Sequence, residues 1–340
     1  MENFKKKCVF ILPYFGKFNN YFELFLKSCK YNASFEWLIF TDCINKYHYP
    51  DNVHVYNMTF QEMQAKIKQK LGFDICINSP YKLCDYKPAY GFLFEEYISD
   101  YEYWGHCDCD LIFGNLEKIL IPLLNNRYDK LFAAGHLTLY KNNRENNRRF
   151  MLPYNRSEIY KKAFSTDDIY VFDEDCRYEH NVHSIFLEQP VSVYAKDLSM
   201  NVSISSGRLV REFYDPETRK WKKDEWRPSR YYWDKGNLLR YVFDKTSGRI
   251  YEEEYLYIHL QMRKMRVKLG DISNDVIEIL PDRFEARHTT PKNKRDMKLF
   301  TINLTYLYYF DFIVKKIKNK YRVVKKKMKD CRFAISTKGM

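Results

Sequence analysis

The segment Tyr103-Trp104-Gly105-His106-Cys107-Asp108-Cys109-Asp110-Leu111-Ile112-Phe113-Gly114 sets two carboxylates, Asp108 and Asp110, one residue apart inside an apolar and aromatic run. Carboxylates in such surroundings need a cation or hydrogen-bond donors to offset desolvation. Their hard oxygens suit Mg2+ or Mn2+, ions that keep coordination positions for phosphate oxygens. A cation held there can grip a diphosphate and offset the charge that builds on a leaving nucleotide. The residue types therefore imply metal-assisted transfer of a sugar from a nucleotide diphosphate. His106, Cys107 and Cys109 are soft ligands for zinc, yet Cys-x-Cys has no second pair elsewhere in the chain. On a strand, Cys107 and Cys109 share the face opposite Asp108 and read as small core fillers.

Other elements must bring partners to this pair. Val9-Phe10-Ile11-Leu12 reads as a buried strand that ends at Pro13-Tyr14-Phe15-Gly16. Residues 21–29 follow a helical apolar pattern, Trp37-Leu38-Ile39-Phe40 is a second strand ending at Thr41-Asp42, and Val53-His54-Val55-Tyr56 is a third. Residues 60–71 predict an amphipathic helix, and residues 87–98 a helix with Pro88 in its first turn. Residues 101–107 form the fourth strand, which delivers Asp108 and Asp110. Strands alternating with helices predict an α/β fold with a mostly parallel sheet and βαβ crossovers. Ligands of such sheets bind beyond the carboxyl ends of the strands, where Pro13-Tyr14, Thr41-Asp42 and Asp108 to Asp110 converge.

The second half reads differently. Residues 128–134 are strand-like and lead into Gly135-His136, and residues 211–230 look like a polar surface excursion or lid. Turn signals at Asp234-Lys235-Gly236-Asn237 and Thr246-Ser247-Gly248 split residues 231–260 into an antiparallel meander.

The ordered set Ile11 to Gly16, Leu38 to Asp42, Lys82-Leu83-Cys84-Asp85-Tyr86-Lys87-Pro88-Ala89-Tyr90-Gly91 and Trp104 to Gly114 resembles a family of bacterial polysaccharide-biosynthesis proteins. These are GT-A-type glycosyltransferase-like proteins, often left as a domain of unknown function. The resemblance continues through Gly135-His136-Leu137-Thr138-Leu139-Tyr140 to His259-Leu260-Gln261 and covers residues 8–265. It implies a GT-A-like (Rossmann-like) sheet flanked by helices. It also implies roles: Pro13, Tyr14 and Phe15 line the nucleotide pocket, and Asp42 meets base or ribose. Lys82, Asp85 and Lys87 border the donor pocket, Asp108 meets ribose or metal, Asp110 ligates the metal, and His259 completes its shell. Arg263 and Lys264 pair with the diphosphate or are merely solvated.

An inverting reaction needs a base to deprotonate the acceptor hydroxyl. Phe172-Asp173-Glu174-Asp175-Cys176 is the best acidic cluster for it, through Glu174 or Asp173, while His136 is placed to touch donor sugar or acceptor. The expected activity moves a sugar, with UDP as the first choice of nucleotide, to a glycan or lipid-linked glycan during capsule or O-antigen assembly. A catalytically inactive nucleotide-binding or scaffold protein of the same fold is the alternative. An Asp-nucleophile phosphatase fits less well, because Ile112 stands where that class carries Thr or Val and the motif follows the fourth strand.

Composition narrows the field. The chain has 340 residues, 45% hydrophobic, with 30 Tyr and 25 Phe, enough for a sizeable core. Nine scattered cysteines without a CxxC pair fit a reducing compartment and free thiols, hence a cytoplasmic setting. No signal peptide or transmembrane stretch is read. Net charge is +13; residues 315–332 hold ten Lys or Arg and one Asp, or +9, leaving +4 for the rest. The basicity belongs to the tail, which argues against nucleic acid as partner and for an anionic membrane face. The expected organisation is a domain over residues 1–285, with a nucleotide-binding half (1–125) and an acceptor-facing half (126–285), followed by an aromatic and basic appendage (286–340).

Overall fold

The computed structural model describes residues 6–297, except 45, 177–178, 204–206, 262, 271–274 and 293–294, together with Ile317. Strands β1 (Lys6–Pro13), β2 (Phe35–Thr41), β3 (Val53–Asn57) and β4 (Tyr101–Cys107) pair in parallel, with β1 between β2 and β4. After Asp110 the chain makes β5 (Leu111–Phe113), which leaves this sheet. β6 (Lys130–Leu131), β7 (Leu137–Lys141) and β8 (Val193–Tyr194) extend it to seven strands in the order β3-β2-β1-β4-β7-β6-β8. β7 runs antiparallel to both β4 and β6; the other pairings are parallel. The expectation of a mixed α/β chain with a mostly parallel sheet is met.

The period of two along these strands splits the core. Val9 and Ile11 join Leu38 and Phe40 on one face, and Cys8, Phe10 and Leu12 join Phe35, Trp37 and Ile39 on the other. Burial on both faces is why β1 and β2 read as unbroken apolar runs. The first face is covered by the helix Phe60–Leu71, the short helices between residues 80 and 98, and the helices Ile159–Phe164 and Val182–Leu187. The second is covered by the helices Phe22–Lys30 and Leu116–Asn125. Phe60–Leu71 begins at a reciprocal Thr59–Glu62 capping box and ends at Gly72 with φ 72°.

Two expectations are corrected. Residues 87–98 are not one helix: a 3-10 turn (Lys87–Ala89) and two single-turn helices (Tyr90–Leu93, Glu95–Ile98) are separated by Phe94 at φ −120°, ψ 28°. The chain there follows the sheet surface, and a Cβ on Gly91 would collide with the Trp104 indole. The strand expected over 128–134 shrinks to Lys130–Leu131, since Phe132 takes φ 71°.

β9 (Met200–Asn201) precedes a two-stranded hairpin, β10 (Glu212–Asp215) and β11 (Lys220–Lys223), inside the polar stretch. β12 (Ser229–Asp234), β13 (Asn237–Phe243) and β14 (Ile250–Tyr255) form the expected meander, with Lys235 (φ 47°) and Gly236 (φ 88°) making a two-residue turn. β15 (Tyr257–His259) lies between β5 and β9. β16 (Arg266–Lys268), β17 (Val276–Leu280) and β18 (Arg283–Ala286) complete a six-stranded sheet with the meander. A third apolar cluster ties this sheet to the first: Leu24 and Ile112 pack with Trp233, Ile258 and Ile277, and the Trp233 indole donates to the Phe113 carbonyl at 2.9 Å.

The segments expected at 299–314 and 315–332 lie outside the described residues, Ile317 apart. Among the described residues no helix is long and apolar enough to cross a membrane.

Candidate active site

Parallel pairing puts the ends of β1, β2 and β4 on one edge of the sheet, and the antiparallel β7 starts at that same edge. The Asp108 amide donates to the His136 carbonyl at 3.1 Å, so Asp108 and His136 sit side by side. The turn through Cys109 then brings Asp110 to β15, where His259 pairs with Leu111. One oxygen of Asp108, one of Asp110 and one ring nitrogen of His259 lie within 4.8 Å of one another. His259 Nε2 is 3.4 Å from Asp110 Oδ1 and 3.8 Å from Asp108 Oδ2.

The remaining contacts say how this group can act. His259 Nδ1 lies 3.0 Å from Asn201 Oδ1, an acceptor that also receives the Gln261 amide at 2.9 Å. Nδ1 must therefore donate, which turns Nε2 toward the carboxylates, the nitrogen on which a metal could replace the proton. Asp110 Oδ1 is buried and, among the described residues, has no hydrogen-bond partner. Burial opposes a charged His259, yet Asp110 and Asp108 outweigh it and raise its pKa. Two carboxylates and an imidazole held this way could hold a metal ion.

Lys87 supplies a fixed positive charge. Its Nζ donates to Asp108 Oδ1 at 2.6 Å and to the Gly135 carbonyl at 2.9 Å, and is 3.5 Å from Asp173 Oδ2. Burial works against both ionised forms, but the pairing lowers the pKa of Asp108 and raises that of Lys87. Asp173 goes the other way: burial pushes its carboxyl above the usual range despite Lys87. It packs so tightly on Gly135 that a Cβ there would strike its carboxylate. Glu174 Oε2 accepts the Gly135 amide at 3.3 Å. His136 is 5% exposed and its ring centre is 4.5 Å from that of His259; burial and the two nearby cations hold it neutral.

On the nucleotide side, the Gly16 amide donates to Asp42 Oδ1 at 2.7 Å and so ties the β1 loop to the end of β2. Tyr14 is partly exposed there and stacks on Phe18 with centroids 4.6 Å apart. Pro13 is buried at the end of β1. Three expected pocket residues sit elsewhere. Phe15 is buried against Phe60 in the core. Lys82 and Asp85 are fully buried and paired at 2.7 Å. Lys82 also donates to the carbonyls of Ala163 and Asp168, while Asp85 accepts the amides of Tyr170 and Phe172. That pair fixes the segment carrying Asp173 and Glu174 instead of bordering a donor. Arg263 is likewise buried and bonded to the carbonyls of Pro281, Ser203 and Arg208. The eight described cysteines are free thiols, and Cys107 and Cys109 are buried in the core as expected.

Asn201, Tyr257 and Trp221 were not legible as site residues. The Tyr257 hydroxyl is 2.7 Å from His136 Nδ1, and the Trp221 ring is 6.0 Å from that of His136. Only their final placement marks them; Gln261 alone had a sequence signal, following His259 in the motif.

These features define a mixed α/β protein with a carboxylate–histidine cluster at the carboxyl edge of its sheet. Over residues 10–288 the chain matches, and belongs to, the family described as "Family of unknown function (DUF6625)". No curated protein matches the sequence. Among solved structures it is similar to a galactosyltransferase, LgtC, crystallised in complex with donor and acceptor sugar analogs. Identity is 13%, the TM-score is 0.32, and the match covers 58% of this chain and 75% of that one. So distant a likeness supports neither a shared site nor a shared reaction.

Proposed function

We propose that this protein is a metal-dependent glycosyltransferase of GT-A-like architecture. In this reading it moves a sugar from a nucleotide diphosphate, UDP in the first instance, to a glycan or lipid-linked glycan of a surface polysaccharide. One observation carries the reading. Asp110 Oδ1, buried and unbonded, faces His259 Nε2, whose other nitrogen is committed to Asn201. A divalent cation there would draw charge from the departing diphosphate. Asp110 and His259 would be its ligands, with Asp108 shared between the cation and Lys87. Tyr14 and Asp42 would receive the nucleoside, because they stand on the same edge. Glu174 is a better base than Asp173, whose carboxyl keeps its proton through burial.

Asp110→Asn should lower Mn2+-dependent hydrolysis of the cognate nucleotide-sugar at least a hundredfold with the fold intact by circular dichroism. Wild-type turnover in that variant removes the metal assignment. A second reading, nucleotide binding without turnover, is favoured by one contact: Lys87 already neutralises Asp108. Tight nucleotide-sugar binding with no hydrolysis or transfer would select it. We place the protein on the cytoplasmic face of the membrane through its basic segment 315–332. Deleting residues 315–340 should release it from anionic vesicles, and equal retention would end that idea.

A further inference from the structure

We propose that Trp221 and His136 form a monosaccharide subsite beside the candidate metal centre, with the indole face against a pyranose ring and His136 Nε2 bonded to a sugar hydroxyl. This rests on the glycosyltransferase reading and adds to it the place where a sugar sits.

The His136 side chain is the first observation. Nδ1 is taken by the Tyr257 hydroxyl at 2.7 Å, whereas Nε2 is buried with no partner among the described residues. An unpaired buried polar atom is costly, so a ligand atom that pairs with it is favoured. A hydroxyl suits it in either tautomer, because a hydroxyl donates to a bare nitrogen and accepts from a protonated one. A phosphate oxygen accepts only.

Trp221 is the second. It is half-buried, its ring centre 6.0 Å from that of His136, on a two-stranded hairpin whose base is joined to β9 by the bridge between Val202 and Arg211. A two-stranded ribbon is marginal in water, so side chains must help to hold its position. Asp175, 5% exposed, does this. It accepts the Tyr214 hydroxyl at 2.6 Å and Arg219 Nε at 2.8 Å, and its carbonyl accepts the Trp221 indole N–H at 3.1 Å. The Tyr214 amide adds a bond to Asp197 at 2.9 Å. The indole N–H is thus committed to the Asp175 carbonyl, and the partly exposed ring stands between those of Tyr214, at 6.1 Å, and His136. A pyranose has the matching form: one C–H face for an aromatic ring and a rim of hydroxyls for His136.

Distance links the subsite to the chemistry. The His136 and His259 rings are 4.5 Å apart, so a sugar on Trp221 and His136 lies next to the cation that would hold the diphosphate. Both the donor's sugar and the acceptor's end are sugars within that reach, and the experiment separates them.

Calorimetry with Mn2+ would compare UDP with UDP-glucose and UDP-galactose, and GDP with GDP-mannose, on the full chain. Its variants are Trp221→Ala, Trp221→Phe and His136→Ala, followed by transfer to methyl glycosides. If the donor's sugar occupies the subsite, Trp221→Ala and His136→Ala lose about tenfold or more in nucleotide-sugar affinity, with nucleotide affinity unchanged. If the acceptor's sugar occupies it, the glycoside KM rises by a similar factor while the ratio of nucleotide-sugar to nucleotide affinity keeps its wild-type value. Trp221→Phe keeps a ring face and should retain most of the affinity, which separates ring contact from loss of the hairpin. Wild-type donor affinity and glycoside KM in both alanine variants would overturn the subsite and leave the glycosyltransferase reading standing. A wild-type protein that binds none of these nucleotide-sugars would overturn both.

Discussion

Asn201 decides which nitrogen of His259 faces the carboxylates, and with it whether Asp108, Asp110 and His259 could hold a metal ion together. Removing a partner that orients a metal-bound histidine typically lowers metal affinity about 10–100-fold. Asn201→Leu should do so here, measured by Mn2+ titration, with thermal stability falling only modestly; unchanged affinity would mean that Nδ1 does not need the amide. The sequence exposed Asp108 and Asp110 because paired carboxylates are conspicuous among Trp, Cys and Leu. His259 was visible only as a late histidine. Asn201 was not visible at all: it lies on a two-residue strand 58 positions from its partner, and an asparagine in a polar stretch carries no local mark. Lys82 and Lys87 looked alike as sequence, yet one is locked in the core and the other sits on Asp108. Burial, which depends on the whole fold, separates them.

The strands that build the site edge were the most legible elements, because a strand buried on both faces must be apolar throughout. The segment 87–98 was not, since its helical spacing of apolar residues is real but the backbone bends at Phe94 to stay on the sheet. Gly91 shows the constraint. Alanine in the helical turn Tyr90–Leu93 would gain about 1 kcal/mol of propensity. Its Cβ would meet the rigid Trp104 ring, and overpacking a core costs about 1–3 kcal/mol. With an indole that is itself bonded to Asn147 at 2.7 Å and cannot yield, the clash should win. Gly91→Ala is expected to destabilise by about 1 kcal/mol in urea unfolding; a stabilised variant would show that the Trp104 contact is looser than it stands. The β10–β11 hairpin escaped sequence reading for the opposite reason. Its strands are polar, and what holds them is a buried carboxylate from a distant loop.

At the scale of the molecule, the net charge of the described body is modest, so its pH response rests on a few buried groups. Lys130 is fully buried, donates to the Phe132 carbonyl, lies 3.3 Å from His183 Nδ1, and is pushed by burial from 10.5 down to about 7. Between those values the unfolded chain holds a proton that the folded one has released, so this group's contribution to stability rises with pH from about 7 upward. The stability of the wild type relative to Lys130→Met should therefore increase by about 2 kcal/mol between pH 7 and 9. Urea unfolding at the two pH values checks it, and a constant difference would mean that Lys130 stays charged in the fold.

In the proposed reaction Asp110 and His259 share a divalent cation with a nucleotide diphosphate. Crystals soaked in Mn2+ and UDP, with data collected for manganese anomalous scattering, test it most directly. The expected result is a peak about 2.0–2.3 Å from Asp110 and from His259 Nε2, with diphosphate oxygens in its shell and the uridine toward Tyr14 and Asp42. Manganese absent from that position while UDP is bound, or UDP bound at a different edge of the sheet, would contradict it.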